Sequence, residues 1–90
     1  MGINTNEKTI EAKLYPNPSA DGKVSVNVNM EAASALSIKI TDIKGSVVYS
    51  DRKDLGKGLS TVELKDLEQG MYLVELRTEY GINTSKLIVK

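Results

Sequence analysis

Histidine and cysteine, the side chains that carry most acid–base and nucleophilic chemistry at neutral pH, are both missing from these 90 residues. Ser-His-Asp sets, Cys-His sets and the usual zinc ligand arrangements are thereby excluded. Carboxylates remain. Asp51 with Asp54, and Asp66 with Glu68, are near enough in sequence to be weighed as acid–base pairs. Their charged or turn-forming neighbours make solvated loop carboxylates the expected state. Asp21, Asp42 and Asp66 fall in turns, where Asp bonds its own backbone. A calcium ion needs several converging oxygens, and no dense Asp/Asn spacing supplies them. The glycines form no phosphate cradle ahead of a helix. A sugar-binding face usually offers exposed aromatic rings. Here there are four tyrosines and no Trp or Phe, and Tyr15, Tyr49, Tyr72 and Tyr80 sit on separate segments. No enzyme, metal or cofactor is expected.

The charge balance narrows the partners. Lys plus Arg equals Asp plus Glu at 12 each, and no run of like charge exceeds two, so phosphate backbones find no basic face. A polybasic membrane patch is missing for the same reason. No apolar stretch approaches the roughly 20 residues of a spanning helix, so direct membrane insertion is not expected. The N-terminus lacks the apolar centre of a signal peptide, and its Met1-Gly2 opening suggests a piece of a longer chain. Without cysteine, no disulfide staples the fold and the compartment cannot be read from redox chemistry. Ninety residues make one domain with a modest core.

The positioning elements centre on Leu67–Thr78. Gly70 closes a turn, after which Tyr72, Val74, Leu76 and Thr78 share one face of a strand and Met71, Leu73, Glu75 and Arg77 take the other. A tyrosine entered through Leu67-x-x-Gly70 can fill the end of a core while its hydroxyl reaches back to the preceding turn. This is the tyrosine-corner device of immunoglobulin-like sandwiches. Gly70 tolerates the positive φ that such a corner asks for.

Elsewhere the chain alternates between strands and turns. Residues 1–10 read as a linker end and 11–90 as the domain. A short strand over 10–15 stops at Pro16-Asn17-Pro18, a rigid bend that lacks two backbone donors. Ser19 to Gly22 completes that loop. Val24, Val26, Val28 and Met30 alternate inward on the second strand. Residues 31–35 suggest a helical turn too short to stand alone. Strands follow over 36–41 and 46–52, joined by an Asp42–Gly45 hairpin with Gly45 at its left-handed position. Residues 51–58 read as a solvated loop or ragged edge. Strands over 59–65, 70–78 and 82–90 finish the chain, with Leu67 plugging the corner. The whole predicts an all-β, seven-stranded antiparallel immunoglobulin-like β-sandwich, with strands one, two and five in one sheet and the other four in the second.

Four blocks carry a resemblance. They are Leu14-Tyr15-Pro16-Asn17-Pro18 with Gly22; Ile38-x-Ile40-x-Asp42-x-x-Gly45-x-x-Val48; Leu64-x-x-Leu67-x-x-Gly70-x-Tyr72-x-Val74; and the closing Lys86-Leu87-Ile88-Val89-Lys90. In this order and spacing they resemble the type A C-terminal sorting domain of the type IX (Por) secretion system of Bacteroidetes, over about residues 12–90. One departure is the lack of Phe, with Ser19 and Leu73 standing where the family often has it. The resemblance implies a secretion address label. Its cargo passes through the periplasm and then the outer-membrane translocon, and ends at the cell surface or secreted. A sortase-like signal peptidase removes the label, cutting near residues 1–13.

Recognition is expected at the last strand, through Lys86, Leu87, Ile88, Val89 and Lys90. An open sheet edge there would let a partner add a strand, and deleting or extending this segment should impair export. The same edge makes strand-swapped dimers plausible in crystals. Pro16, Asn17, Pro18, Gly45, Gly70 and Tyr72 are expected to be structural. The competing reading is a non-catalytic structural or adhesive spacer of a cell-surface protein, which would work at an internal position as well as at the end.

Overall fold

The computed structural model describes residues 8–90. Their strands are β1 (Lys8–Thr9), β2 (Glu11–Tyr15), β3 (Val24–Met30), β4 (Ser34–Asp42), β5 (Val47–Leu55), β6 (Gly58–Leu64), β7 (Gly70–Thr78) and β8 (Gly81–Val89). One sheet has the order β2-β3-β6. The other runs β8-β7-β4-β5, with the two-residue β1 added parallel to the free side of β8. All other strand pairings are antiparallel. The three-plus-four division expected from the sequence is the one found.

Period-two alternation builds the core. Val24, Val26, Val28 and Met30 of β3 face Leu36, Ile38 and Ile40 of β4 and Val74 and Leu76 of β7, all buried. Val62, Leu64, Tyr72, Leu87 and Val89 complete the buried cluster, with Ile10, Ala12, Leu14, Tyr49, Leu55 and Leu67 packed around it. The 18 Å smallest dimension fits two stacked sheets with their outer side chains.

Three local expectations change. Residues 51–55 are not a loop: they continue β5, where Leu36 pairs with Lys53 and Ser37 with Arg52. Asp51, Arg52, Lys53 and Asp54 tolerate strand geometry because β5 is a sheet edge with both faces exposed there, and charge at such an edge discourages further pairing. The expected helical turn over 31–35 is a bend, since Ser34 and Ala35 already pair with Leu55 and Asp54. The linker expected over 1–10 lies outside the described residues up to position 7. Lys8 and Thr9 pair with Gly81 and Ile82, and Ile10 N–H donates to the Ile82 carbonyl at 3.1 Å.

Candidate recognition site at the last strand

Two turns fix the end of the sandwich where β8 finishes. In the β4–β5 hairpin, Asp42 Oδ1 accepts from Lys44 N–H and Ser46 N–H, both at 2.9 Å, and Gly45 takes its left-handed place at φ 92°. In the corner before β7, the Tyr72 ring is buried and its hydroxyl donates to the Glu68 carbonyl. Gly70 has φ 155° and lies against the Tyr72 phenol, as the tyrosine corner requires.

The Pro-Asn-Pro bend does more than stop β2. Both of its prolines follow cis peptide bonds. Beyond them Ser19 is fully buried, its hydroxyl donating to the Lys23 carbonyl at 2.9 Å and accepting from Gly22 N–H at 3.1 Å. Asp21 Oδ1 accepts from Lys23 N–H at 3.1 Å, closing the loop.

This loop lies on β8. The Asn17 side-chain amide donates to the Lys86 carbonyl at 2.8 Å and accepts from Ile88 N–H at 3.1 Å. An amide oxygen and nitrogen used together in this way imitate the backbone of a neighbouring strand. Ser19 then forms a parallel bridge with Val89: its N–H donates to the Ile88 carbonyl and its carbonyl accepts from Lys90 N–H, each at 2.8 Å. On the opposite side, Leu87, Ile88 and Val89 pair with Tyr72, Met71 and Gly70.

The expectation of an open backbone edge over Lys86–Lys90 is therefore corrected. Both sides of Leu87–Val89 are occupied, one by β7 and the other by the loop. Grip by simple strand addition has no free hydrogen-bonding row there. Side chains are another matter. Leu87 and Val89 are core, while Lys86 and Lys90 are exposed and Ile88 is half-buried on the outer face. Asn17 and Ser19 are the residues that decide access to β8. The Pro-Asn-Pro motif marks the bend, but nothing local in the sequence says which strand it covers.

Of the carboxylates weighed for chemistry, Asp51 is engaged by its own neighbours. Asp51 and Asp54 stand three apart on one strand and so point to opposite faces. Asp51 accepts from Arg52 N–H at 2.7 Å and pairs with Lys53 at 3.5 Å. The Arg52 amide holds its carboxyl below the usual range, aided by Lys53. Burial and the neighbouring Asp51 carboxylate push the Tyr49 phenol above its ordinary value. Asp66 adopts a left-handed φ of 62° in the corner, a conformation Asp tolerates better than most residues. No helix among the described residues is long and apolar enough to cross a membrane.

Residues 13–90 match the family described as the secretion system C-terminal sorting domain. The chain belongs to this family. The sorting domain is thus a signal for type IX secretion, which directs export to the cell surface or release and implies interaction with the secretion machinery. Comparison with curated proteins finds no match.

Proposed function

We propose that this sorting domain is an immunoglobulin-like sandwich read by the outer-membrane translocon as a folded body, at the end where β8 finishes. Its cargo would wait in the periplasm, and a sortase-like signal peptidase would then remove the label. One observation supports reading at this end: blocks far apart in sequence meet there. Asp42 pairs with Tyr72, Tyr72 with Leu87 and Gly70 with Val89, while Asn17 and Ser19 bond the other side of β8. With the backbone row covered, the groups on offer are the outward side chains of Lys86, Ile88 and Lys90.

The expected cleavage segment narrows as well. Lys8, Thr9 and residues 11–13 are paired in strands, which suits a peptidase poorly, so we place the cut before Lys8.

The test is export of a reporter fused ahead of the 90 residues. Lys86→Glu with Lys90→Glu changes two exposed side chains and should leave the melting temperature in place. Loss of export without loss of stability is the expected result. Normal export of the double variant would overturn recognition through these side chains. Equal export with the domain moved to an internal position would favour the spacer reading.

A further inference from the structure

Hydrogen bonds between strands resist a pull according to how it loads them. Because they lie across the strands, a force drawing two paired strands lengthwise past each other strains all of them at once. A force across the strands opens them one at a time from an end. Which case holds depends on where the chain enters the fold and where it leaves.

Here the first and last segments run side by side in the same direction. β1 pairs parallel to β8, Lys8 with Gly81 and Thr9 with Ile82. Ile10 N–H donates to the Ile82 carbonyl at 3.1 Å, and the Asn83 side-chain amide donates to the Ile10 carbonyl at 3.0 Å. Farther along β8, Asn17 bonds Lys86 and Ile88, and Ser19 forms its parallel bridge with Val89. Residues 8–10 thus flank the start of β8 and residues 17–19 its finish. The nine residues of β8 span roughly 30 Å. The chain therefore enters the sandwich beside Gly81 and leaves it after Val89, at opposite ends of one strand.

A pull between those two points runs down the length of β8. It drags residues 8–10 back along β8 and loads the bonds of Ile10 and Asn83 together. On its other side β8 is held against β7 from Gly70 to Thr78, and that antiparallel pairing meets the same lengthwise load. β2, next in the chain, is drawn lengthwise along β3. The hairpin tip gives the opposite case. Lys44 and Lys90 lie at one end of the sandwich, because Asp42 pairs with Tyr72 and Tyr72 with Leu87. A pull between them runs across β4, β7 and β8 and opens β8 from Val89, one pair at a time.

We propose that the sorting domain is a load-bearing coupler as well as a label. β8, flanked in parallel by residues 8–10 and 17–19, transmits force from a grip at its finish to the cargo joined ahead of Lys8, while the domain stays folded. The proposal rests on the reading above only for where the grip falls. Its mechanics belong to this chain alone and are measured without the secretion machinery.

The sequence has no cysteine, so cysteine handles attach without competition. One form of the 90-residue chain carries handles ahead of residue 1 and after residue 90; the other carries them at Lys44→Cys and after residue 90. Single molecules are pulled in optical tweezers at one loading rate. Rupture through the termini should need at least about twice the force of the pull from position 44, since the load is shared among bonds and the barrier to forced unfolding rises. Ile10→Pro removes the donor to Ile82, and Asn83→Ala removes the side-chain bond to the Ile10 carbonyl. Either should lower the terminal force and leave the force from position 44 in place. The ratio of the two forces is the readout, because a general loss of stability lowers both. Asn83→Ala, a change at a half-buried side chain, keeps the test open where Ile10→Pro fails to fold. A lower ratio in either variant supports the proposal. Equal forces in the two geometries, or a ratio that neither variant changes, would overturn it. Export of the Lys86→Glu, Lys90→Glu reporter reads recognition separately: normal export there leaves the force ratio standing, and equal forces leave recognition through the outward side chains standing.

Discussion

Asn17→Ala removes both bonds by which the loop side chain holds β8, one to the Lys86 carbonyl and one from Ile88 N–H. The site is exposed, so the freed groups pass to water and no burial penalty is added. At about 0.5–1.5 kcal/mol net per hydrogen bond, the loss comes to roughly 1–3 kcal/mol. For a domain of this size that lowers the melting temperature by about 5–15 °C. Two measurements together test the reasoning. A thermal melt gives the global loss, and amide exchange locates it. Ile88 N–H should exchange faster in the variant, while Lys90 N–H, held by the Ser19 carbonyl, should change less. An unchanged melt with unchanged Ile88 exchange would show that the Asn17 bridge contributes nothing in solution. The row over 86–88 would then be open after all, and strand addition would return as the mode of recognition.

Other perturbations separate the remaining contributions. Gly22→Ala should destabilise far more than Gly45→Ala in a denaturant titration: both have positive φ, but a Cβ at Gly22 would meet the Leu67 carbonyl oxygen at 2.4 Å, while Gly45 has open space. Equal midpoints would refute this. Tyr72→Phe should cost about 1 kcal/mol through the lost bond to Glu68, and Tyr72→Ala about 3–5 kcal/mol as a core truncation, both read from chemical unfolding. Tyr49 holds its proton longer folded than unfolded, so its contribution is present below the unfolded value near pH 10 and is lost as pH rises through the higher folded value. Tyrosinate absorbance and alkaline melts should show this, and Tyr49→Phe should remove that part of the decline.

Much of the fold is legible in the sequence because its signals are local. The run from Val24 to Met30 alternates so cleanly that face and burial follow from period two alone. Leu67, Gly70 and Tyr72 announce the corner, since the glycine and the phenol both have to be there for the hydroxyl to reach the backbone behind it. The charges over 51–54 mislead, because an edge strand exposed on both faces has the composition of a loop. At the candidate site, alternation separates the core residues of β8 from its surface residues, yet it says nothing of the strand's edge. Strand order leaves only the two-residue β1 beyond β8, beside Gly81 and Ile82, and only the three-dimensional course of the Pro-Asn-Pro loop shows that Asn17 and Ser19, about 70 positions away, lie along the rest of its edge. No local pattern encodes that reach.

The clasp between residues 17–19 and 86–90 has a practical consequence. Asn17 and the Ser19 backbone find their hydrogen-bonding partners in the final few residues, so a chain shortened there loses more than a docking surface. It leaves Asn17 and the Ser19 backbone without their counterparts at the opposite end of the sequence. A truncation that silences the signal therefore reports an unfastened domain as readily as an unread one, and point changes at outward side chains are the instrument that tells the two apart.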